Sequence, residues 1–345
     1  MEIGGSHMSL LFIDGFDDNL SSLKWSSYNA NSLSSGRNGN AAYLGDNTKY
    51  MLKQVAVADE HATFILGCGL YITGIVPSFF LELRSDDRAT VHLRFYFNAN
   101  NQISVYRGPG TTLLGSTPIS GFAFNTWFHF EVKAVLHDST GSVVIKFNGV
   151  TVLNLTGIDT KNAGTKTGFD TVEWWGTNTA GATTIIVDDF YLCNGAGSVN
   201  NDFLGDCTIQ TLYPSGNGNY SQWVGSDADS TNNYLLVDEN PPNTTDYVES
   251  GTATNKDTYT FGDLTGAPAV KGVATSIYMS KSDAGAQLMR QTARIGGTDY
   301  PSATDDAPSF GSYLLSNRMM EVSPATSSLW TYTEVNGAEF GVEAR

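Results

Sequence analysis

Two stretches carry the side chain types that hold sugars: Trp174-Trp175 and Tyr220-Ser221-Gln222-Trp223, each set among Gly, Asn or Thr. An aromatic ring face stacks on the apolar C–H face of a pyranose, so Trp175, Tyr220 and Trp223 are the candidate glycan contacts. The competing role is packing. Adjacent Trp residues on one strand face opposite ways, so one of Trp174 and Trp175 belongs to a core. Trp223, after Gly216-Asn217-Gly218-Asn219-Tyr220, reads as a loop cap between domains.

Carboxylates are the second chemical resource. Asp14-Gly15-Phe16-Asp17-Asp18 follows the first apolar run, and Asp188-Asp189 lies on a later strand. Hard oxygen ligands at this density suit Ca2+. As strand neighbours, Asp188 and Asp189 point to opposite faces, so one of them at most is a ligand from the strand face. Asp86-Asp87, in a turn beside Arg84 and Arg88, reads as solvated charge. Nucleophilic chemistry finds no support, since no Gly-x-Ser-x-Gly elbow occurs. His92 and His129 fall at outward strand positions, exposed or bonded across strands. Cys68, Cys193 and Cys207 are too few and too widely spaced for a structural zinc site, and an odd number cannot all pair. They read as reduced buried thiols; a bridge between Cys193 and Cys207 is the alternative.

These residues must be positioned by strands. Gly numbers 36 against 10 Pro, aromatic residues make up 12% and charged residues 16%, a balance that favours short strands and tight turns. Thr90 to Phe97 alternates, with Val91, Leu93, Phe95 and Phe97 on one face, and Asn98-Ala99-Asn100-Asn101 turns it into Gln102 to Arg107 as a hairpin. Trp127 to Leu136, Ser142 to Phe147 and, after Asn148-Gly149, Val150 to Leu155 form a three-strand meander. Further strands are read at 9–14, 50–57, 63–71, 79–83 and 183–193. From about Asn201 the texture changes, with β-rich runs at 209–212, 234–237, 257–261, 269–279, 288–295 and 337–343. Asp283 to Arg290 reads as a hairpin turn and strand, although its composition tolerates a short helix. No apolar run approaches the roughly 20 residues that span a bilayer, so the chain reads as soluble. A formal charge of -16 repels nucleic-acid backbones. Residues 1–8, ending Gly5-Ser6-His7-Met8, read as a tag remnant.

The expected architecture is all-β: two antiparallel β-sandwich (jelly-roll) domains over 9–197 and 204–345, joined by a linker at 198–203. The pieces around that joint are Asp188-Asp189-Phe190-Tyr191, Asn201-Asp202-Phe203-Leu204-Gly205-Asp206, Pro214-Ser215-Gly216-Asn217-Gly218-Asn219-Tyr220 and Asp246-Tyr247-Val248-Glu249-Ser250. Together they resemble the middle of tailed-bacteriophage virion proteins, in which a concanavalin A-like (laminin G-type) sandwich precedes a second β-domain. The resemblance implies a virion protein assembled in the host bacterial cytoplasm, an accessory surface component such as a capsid decoration or tail-associated adhesion protein. Its partners would be other capsid or tail proteins, further copies of itself, and a host surface glycan; the alternative is a carbohydrate-binding, lectin-like adhesin.

The same resemblance implies that the first and last strands of the sandwich lie together, with a structural Ca2+ held there by Asp14 and Asp188. No other cofactor is expected. Glucanases on this kind of sandwich carry Glu-x-Asp-x-x-Glu on one strand. Here Glu82 is followed by Leu83-Arg84-Ser85, Glu131 by Val132-Lys133-Ala134 and Glu173 by Trp174-Trp175-Gly176. The expectation is therefore a chain without catalytic residues.

Overall fold

The computed structural model describes residues 8–33, 35–55, 60–74, 77–85, 88–110, 112–177 and 184–345. Asp86-Asp87 and His7 of the expected tag remnant lie outside them. The chain divides into two compact units, one running to Ile209 and the other from Gln210 to Arg345. Both are antiparallel β-structure. Helix is confined to Ser21–Lys24, Tyr332–Asn336 and a 3-10 turn at Asn233–Leu236 among the described residues.

In the first unit two sheets sandwich the core, as expected of a concanavalin A-like domain. The eight-stranded sheet runs Val150–Ile158, Gly141–Phe147, Phe128–Val135, Thr63–Ile72, Ile185–Cys193, Ala41–Leu44, Asn31–Leu33, with Leu10–Asp14 also paired to Ile185–Cys193. The seven-stranded sheet runs Thr112–Ser116, Gln102–Arg107, Thr90–Asn98, Ser78–Ser85, Thr171–Trp175, Tyr50–Gln54, Ser27–Tyr28. The meander at 128–158 and the hairpin at 90–107 appear as the alternation and turn residues require.

Inward side chains are large and aromatic. Phe80 stacks on Phe97 at 4.0 Å between centroids, and Trp174 meets Phe130 at 6.2 Å and Phe190 at 6.3 Å, all of them fully buried. Truncating such a residue costs about 3–5 kcal/mol, because transfer and cavity terms add.

The second unit has a five-stranded sheet, Pro214–Ser221, Lys256–Phe261, Glu339–Ala344, Met289–Ile295, Thr298–Pro301. A ribbon of Val273–Met279 paired with Leu314–Met320 packs onto it. Its core is smaller: Trp330, Phe340 and Met320 form one cluster, Trp223, Met279, Met289 and Val342 another.

Several local readings are corrected. Residues 209–212 form no strand, and Tyr234 to Val237, expected extended, lies largely in the 3-10 turn. Pro214–Ser221, which lies outside the runs read as β-rich, is an edge strand: a Cβ on Gly218 would sit 2.8 Å from the Thr258 carbonyl carbon, so the glycines let two backbones approach. The segment expected as a linker is instead laid on the first unit. Lys133 binds Asp202 at 3.0 Å, the Gly205 N–H donates to Glu131 at 2.9 Å, and the Ile209 N–H donates to Asp189 at 2.7 Å. Residues 204–209, expected in the second domain, therefore belong to the first.

Candidate functional site

The outer face of the seven-stranded sheet collects polar and aromatic side chains that alternation turns away from the core. Leu52, Glu173, Glu82, Arg94 and Tyr106 occupy facing positions on successive strands. Along this row Arg94 Nε donates to Glu82 at 2.5 Å. Arg84, two residues beyond Glu82, pairs with it and also holds its Nε 2.8 Å from Glu173. Arg88 closes the group on Glu173. Both carboxylates are fully buried beneath the three guanidinium groups. Burial raises Glu173 above the usual carboxylate range; Arg84 and Arg88 pull it back, and Glu82 adds to the rise.

An aromatic row runs alongside. Trp175 faces Tyr50 across one strand pair and Phe79 faces Tyr96 across another. Ring centroids are 5.4 Å apart for Tyr50 and Trp175 and 5.9 Å for Phe79 and Trp175. Arg94 links the rows, its guanidinium carbon 4.2 Å from the Phe79 centroid. Trp175, Phe79 and Tyr96, with Asn47 and Ser78, line a groove of about 300 Å3. These rings are half-buried.

The three glycan candidates thus separate. Trp175 lies outward on the sheet, and its neighbour Trp174 is core. Trp223 is buried in the second unit against Met279, Met289 and Val342, its indole N–H donating to the Asn255 carbonyl at 3.0 Å. It offers no face to a sugar, nor is it a loop cap: its apolar bulk fills a core too small to do without it. Tyr220 is half-buried, with Lys256 Nζ 5.1 Å and Arg294 5.2 Å from its ring, and both cations are held by Asp299 at 2.7 and 2.6 Å. Its ring is occupied by cations.

The metal candidates separate too. The first and last strands do pair, Asp14 opposite Phe190. Yet Asp14 accepts from the Phe16 N–H at 3.0 Å, Ser21 Oγ at 2.8 Å and Trp25 Nε1 at 2.8 Å, with Lys24 Nζ at 3.4 Å. A lysine ammonium stands where a cation would. Asp188 accepts from the Arg37, Asn38 and Asp189 N–H groups at 2.7, 3.0 and 2.7 Å. Oxygens aimed at N–H donors do not suit Ca2+, which needs six to eight oxygen ligands about 2.4 Å away. No cluster of three or more His, Cys, Asp or Glu among the described residues has metal-binding geometry.

Asp188 and Asp189 do not point to opposite faces. A bulge between Asp188 and Tyr191, with Asp189 at φ 51°, turns both onto the 36–40 loop, where Asn38 Nδ2 donates to Asp189 at 2.8 Å. Burial raises Asp188 to about 7, opposed by its N–H donors and reinforced by Asp189.

His92 and His129 are buried rather than exposed. His92 Nδ1 accepts the Asn162 N–H at 3.1 Å, which leaves the proton on Nε2 to donate across strands to Ser85 Oγ at 2.7 Å. His129 lies 3.6 Å from Glu131 and 3.5 Å from Asp206, enclosed by the 198–209 segment. All three cysteines are free thiols. No helix among the described residues is long and apolar enough to cross a membrane.

The Glu82–Glu173–Arg84–Arg94 set was missed because a motif search runs along one strand. Its carboxylates sit on strands about 90 residues apart in sequence, paired across the sheet. The available signal was the outward position of Arg94 in the alternating run and the flanking of Glu82 by Arg84.

No protein-family model matches this chain, and no curated protein matches it. Among solved structures it is similar to the cellulose induced protein Cip1, with a TM-score of 0.42 and 11% identity over 57% of this chain and 100% of that one. It is also similar to the alginate lyase Aly36B, with a TM-score of 0.36 and 13% identity over 54% and 91% of the two chains. The carbohydrate-binding module CBM66 from Bacillus subtilis gives 0.31 and 9% over 49% and 94%. None of these likenesses assigns a role to a residue of this chain.

Proposed function

We propose that this chain is a non-enzymatic carbohydrate-binding protein whose first unit takes a glycan on the outer face of its seven-stranded sheet. The observation that carries this reading is the contiguous aromatic set Tyr50, Trp175, Phe79 and Tyr96 lying beside a row of guanidinium groups. Rings supply a stacking platform and the polar row supplies orientation, the usual division of labour in a sugar site. A glycan array probed with the protein and with Trp175→Ala tests it. Binding that drops about tenfold or more, with an unchanged melting temperature, is the expected result; binding indifferent to Trp175 removes the reading.

The absence of catalysis is supported by the state of the two carboxylates. Glu82 and Glu173 are each committed to arginine, so neither offers the free general acid or nucleophile that glycoside hydrolysis requires. Reducing ends released from β-glucans or chitin, and lost on Glu173→Gln, would overturn this.

The setting we propose is a bacteriophage particle, as an accessory surface component with adhesive function. Its support is the resemblance of residues 187–250 to virion proteins, and it includes self-association on the symmetry of the particle. Sedimentation of the isolated protein and its co-sedimentation with purified particles test it. A strict monomer that binds no particle would leave a free lectin.

A further inference from the structure

The charged row beside the groove has a sign. Glu82 and Glu173 have side chains that are 0% exposed, whereas Arg88 is 42% and Arg94 20% exposed. What this part of the sheet presents outward is therefore guanidinium, with its counter-charge beneath. Arg84 donates to Glu82 and the Arg88 carbonyl and holds its Nε 2.8 Å from Glu173 as an ion pair without a hydrogen bond, and Arg94 donates to Glu82 and the Pro109 carbonyl. Each guanidinium carries more N–H donors than these acceptors use. In a chain of net charge -16, with Asp86-Asp87 between Arg84 and Arg88 in sequence, the exposed guanidinium groups are a local feature of this face.

The position of these guanidinium groups matters more than their number. Arg94 lies over the Phe79 ring, and Phe79 lines the groove with Trp175. A pyranose lying on the aromatic row would meet the arginine edge with its ring substituents. A guanidinium fork matches a planar carboxylate in two parallel hydrogen bonds, whereas a hydroxyl engages it singly.

Resting on the glycan reading above, we propose that the site is selective for uronate-bearing polysaccharide, with Trp175 taking the sugar face and Arg88 and Arg94 the carboxylate. The buried glutamates act as positioning residues. They hold the guanidinium planes in place, so that binding does not bear the cost of ordering long side chains.

Affinity electrophoresis of the intact chain in gels containing polygalacturonate, dextran or dextran sulfate tests this, with Trp175→Ala and Arg88→Gln beside the wild type. Arg88 is the most exposed of the three, and Arg84 remains on Glu173 when it is replaced, so the variant is expected to fold; its melting temperature verifies that. The expected result is retardation by polygalacturonate at least about tenfold stronger than by dextran, abolished by Trp175→Ala. Arg88→Gln should weaken polygalacturonate binding about fivefold to tenfold and leave dextran unchanged. Equal retardation by dextran and polygalacturonate, both sensitive to Trp175, would overturn the acidic preference and leave the glycan reading standing. Dextran sulfate retarding the protein as strongly as polygalacturonate, without dependence on Trp175, would reduce the patch to an ion exchanger. That outcome, or no retardation by any polymer, would overturn both.

Discussion

Glu82 and Glu173 face each other across adjacent antiparallel strands, and a single arginine, Arg84, is paired with both. Two buried carboxylates in this position repel, so the arrangement persists only because the guanidinium groups offset their desolvation and their mutual charge.

Removal of Arg84 should accordingly be costly. We expect Arg84→Ala to destabilise the first unit by about 3 kcal/mol, the range for deleting one partner of a buried ion pair. Lys133→Ala, which deletes a bridge to an Asp202 side chain that is 68% exposed, should cost less than about 1 kcal/mol. Urea denaturation of both variants checks the contrast, and equal losses would contradict it.

The two tryptophans of the original glycan set should behave oppositely. Trp223→Ala empties part of the second unit's core and should cost that unit about 3–5 kcal/mol while leaving glycan retention intact. Trp175→Ala should do the reverse. Paired calorimetry and glycan-binding measurements distinguish them.

Stability of the first unit should rise on mild acidification. Asp188 titrates near 3.8 in the unfolded chain and near 7 in the fold, raised chiefly by burial. Between those values the folded state binds a proton that the unfolded state releases, so folding is favoured as pH falls through 7 and the gain is complete by about pH 4. The slope is at most about 1.4 kcal/mol per pH unit. Asp17 and Asp189, also raised by burial, act in the same direction. Melting should be higher at pH 5.5 than at pH 8, and Asp188→Asn should flatten the profile. A flat wild-type profile would refute the account.

Calcium should not matter to this edge of the sandwich. Asp14 and Asp188 are satisfied by N–H, hydroxyl and ammonium donors. The melting temperature in chelator should match that in millimolar Ca2+; a calcium-dependent rise in that unit alone would reverse the conclusion, since an ion bound only by the native state stabilises it.

How much of this was legible in the sequence depends on range. Periodicity located the hairpin at 90–107 and the meander at 128–158, because both are set by neighbours in sequence and by Asn or Gly at their turns. It correctly divided Trp174 from Trp175. It failed at Asp188 and Asp189, where a bulge cancels alternation, and at Pro214–Ser221, where glycine serves close backbone approach. It was silent on the pairing of Glu82 with Glu173, since strand order is decided by packing of the whole core. The resemblance at Asn201 to Asp206 pointed to a joint between domains. Those residues are instead bonded to the sheet that precedes them.

That bonding has a consequence for biosynthesis. Chains emerge N-terminus first, and among the described residues every strand of the first sandwich is complete at Cys193. The groups that close over His129, Glu131 and Tyr191, ending at the Ile209 N–H on Asp189, emerge only afterwards. A nascent chain halted at residue 197 would hold all its strands yet leave that face wet. The last fastening of the first unit therefore comes from the chain that leads into the second.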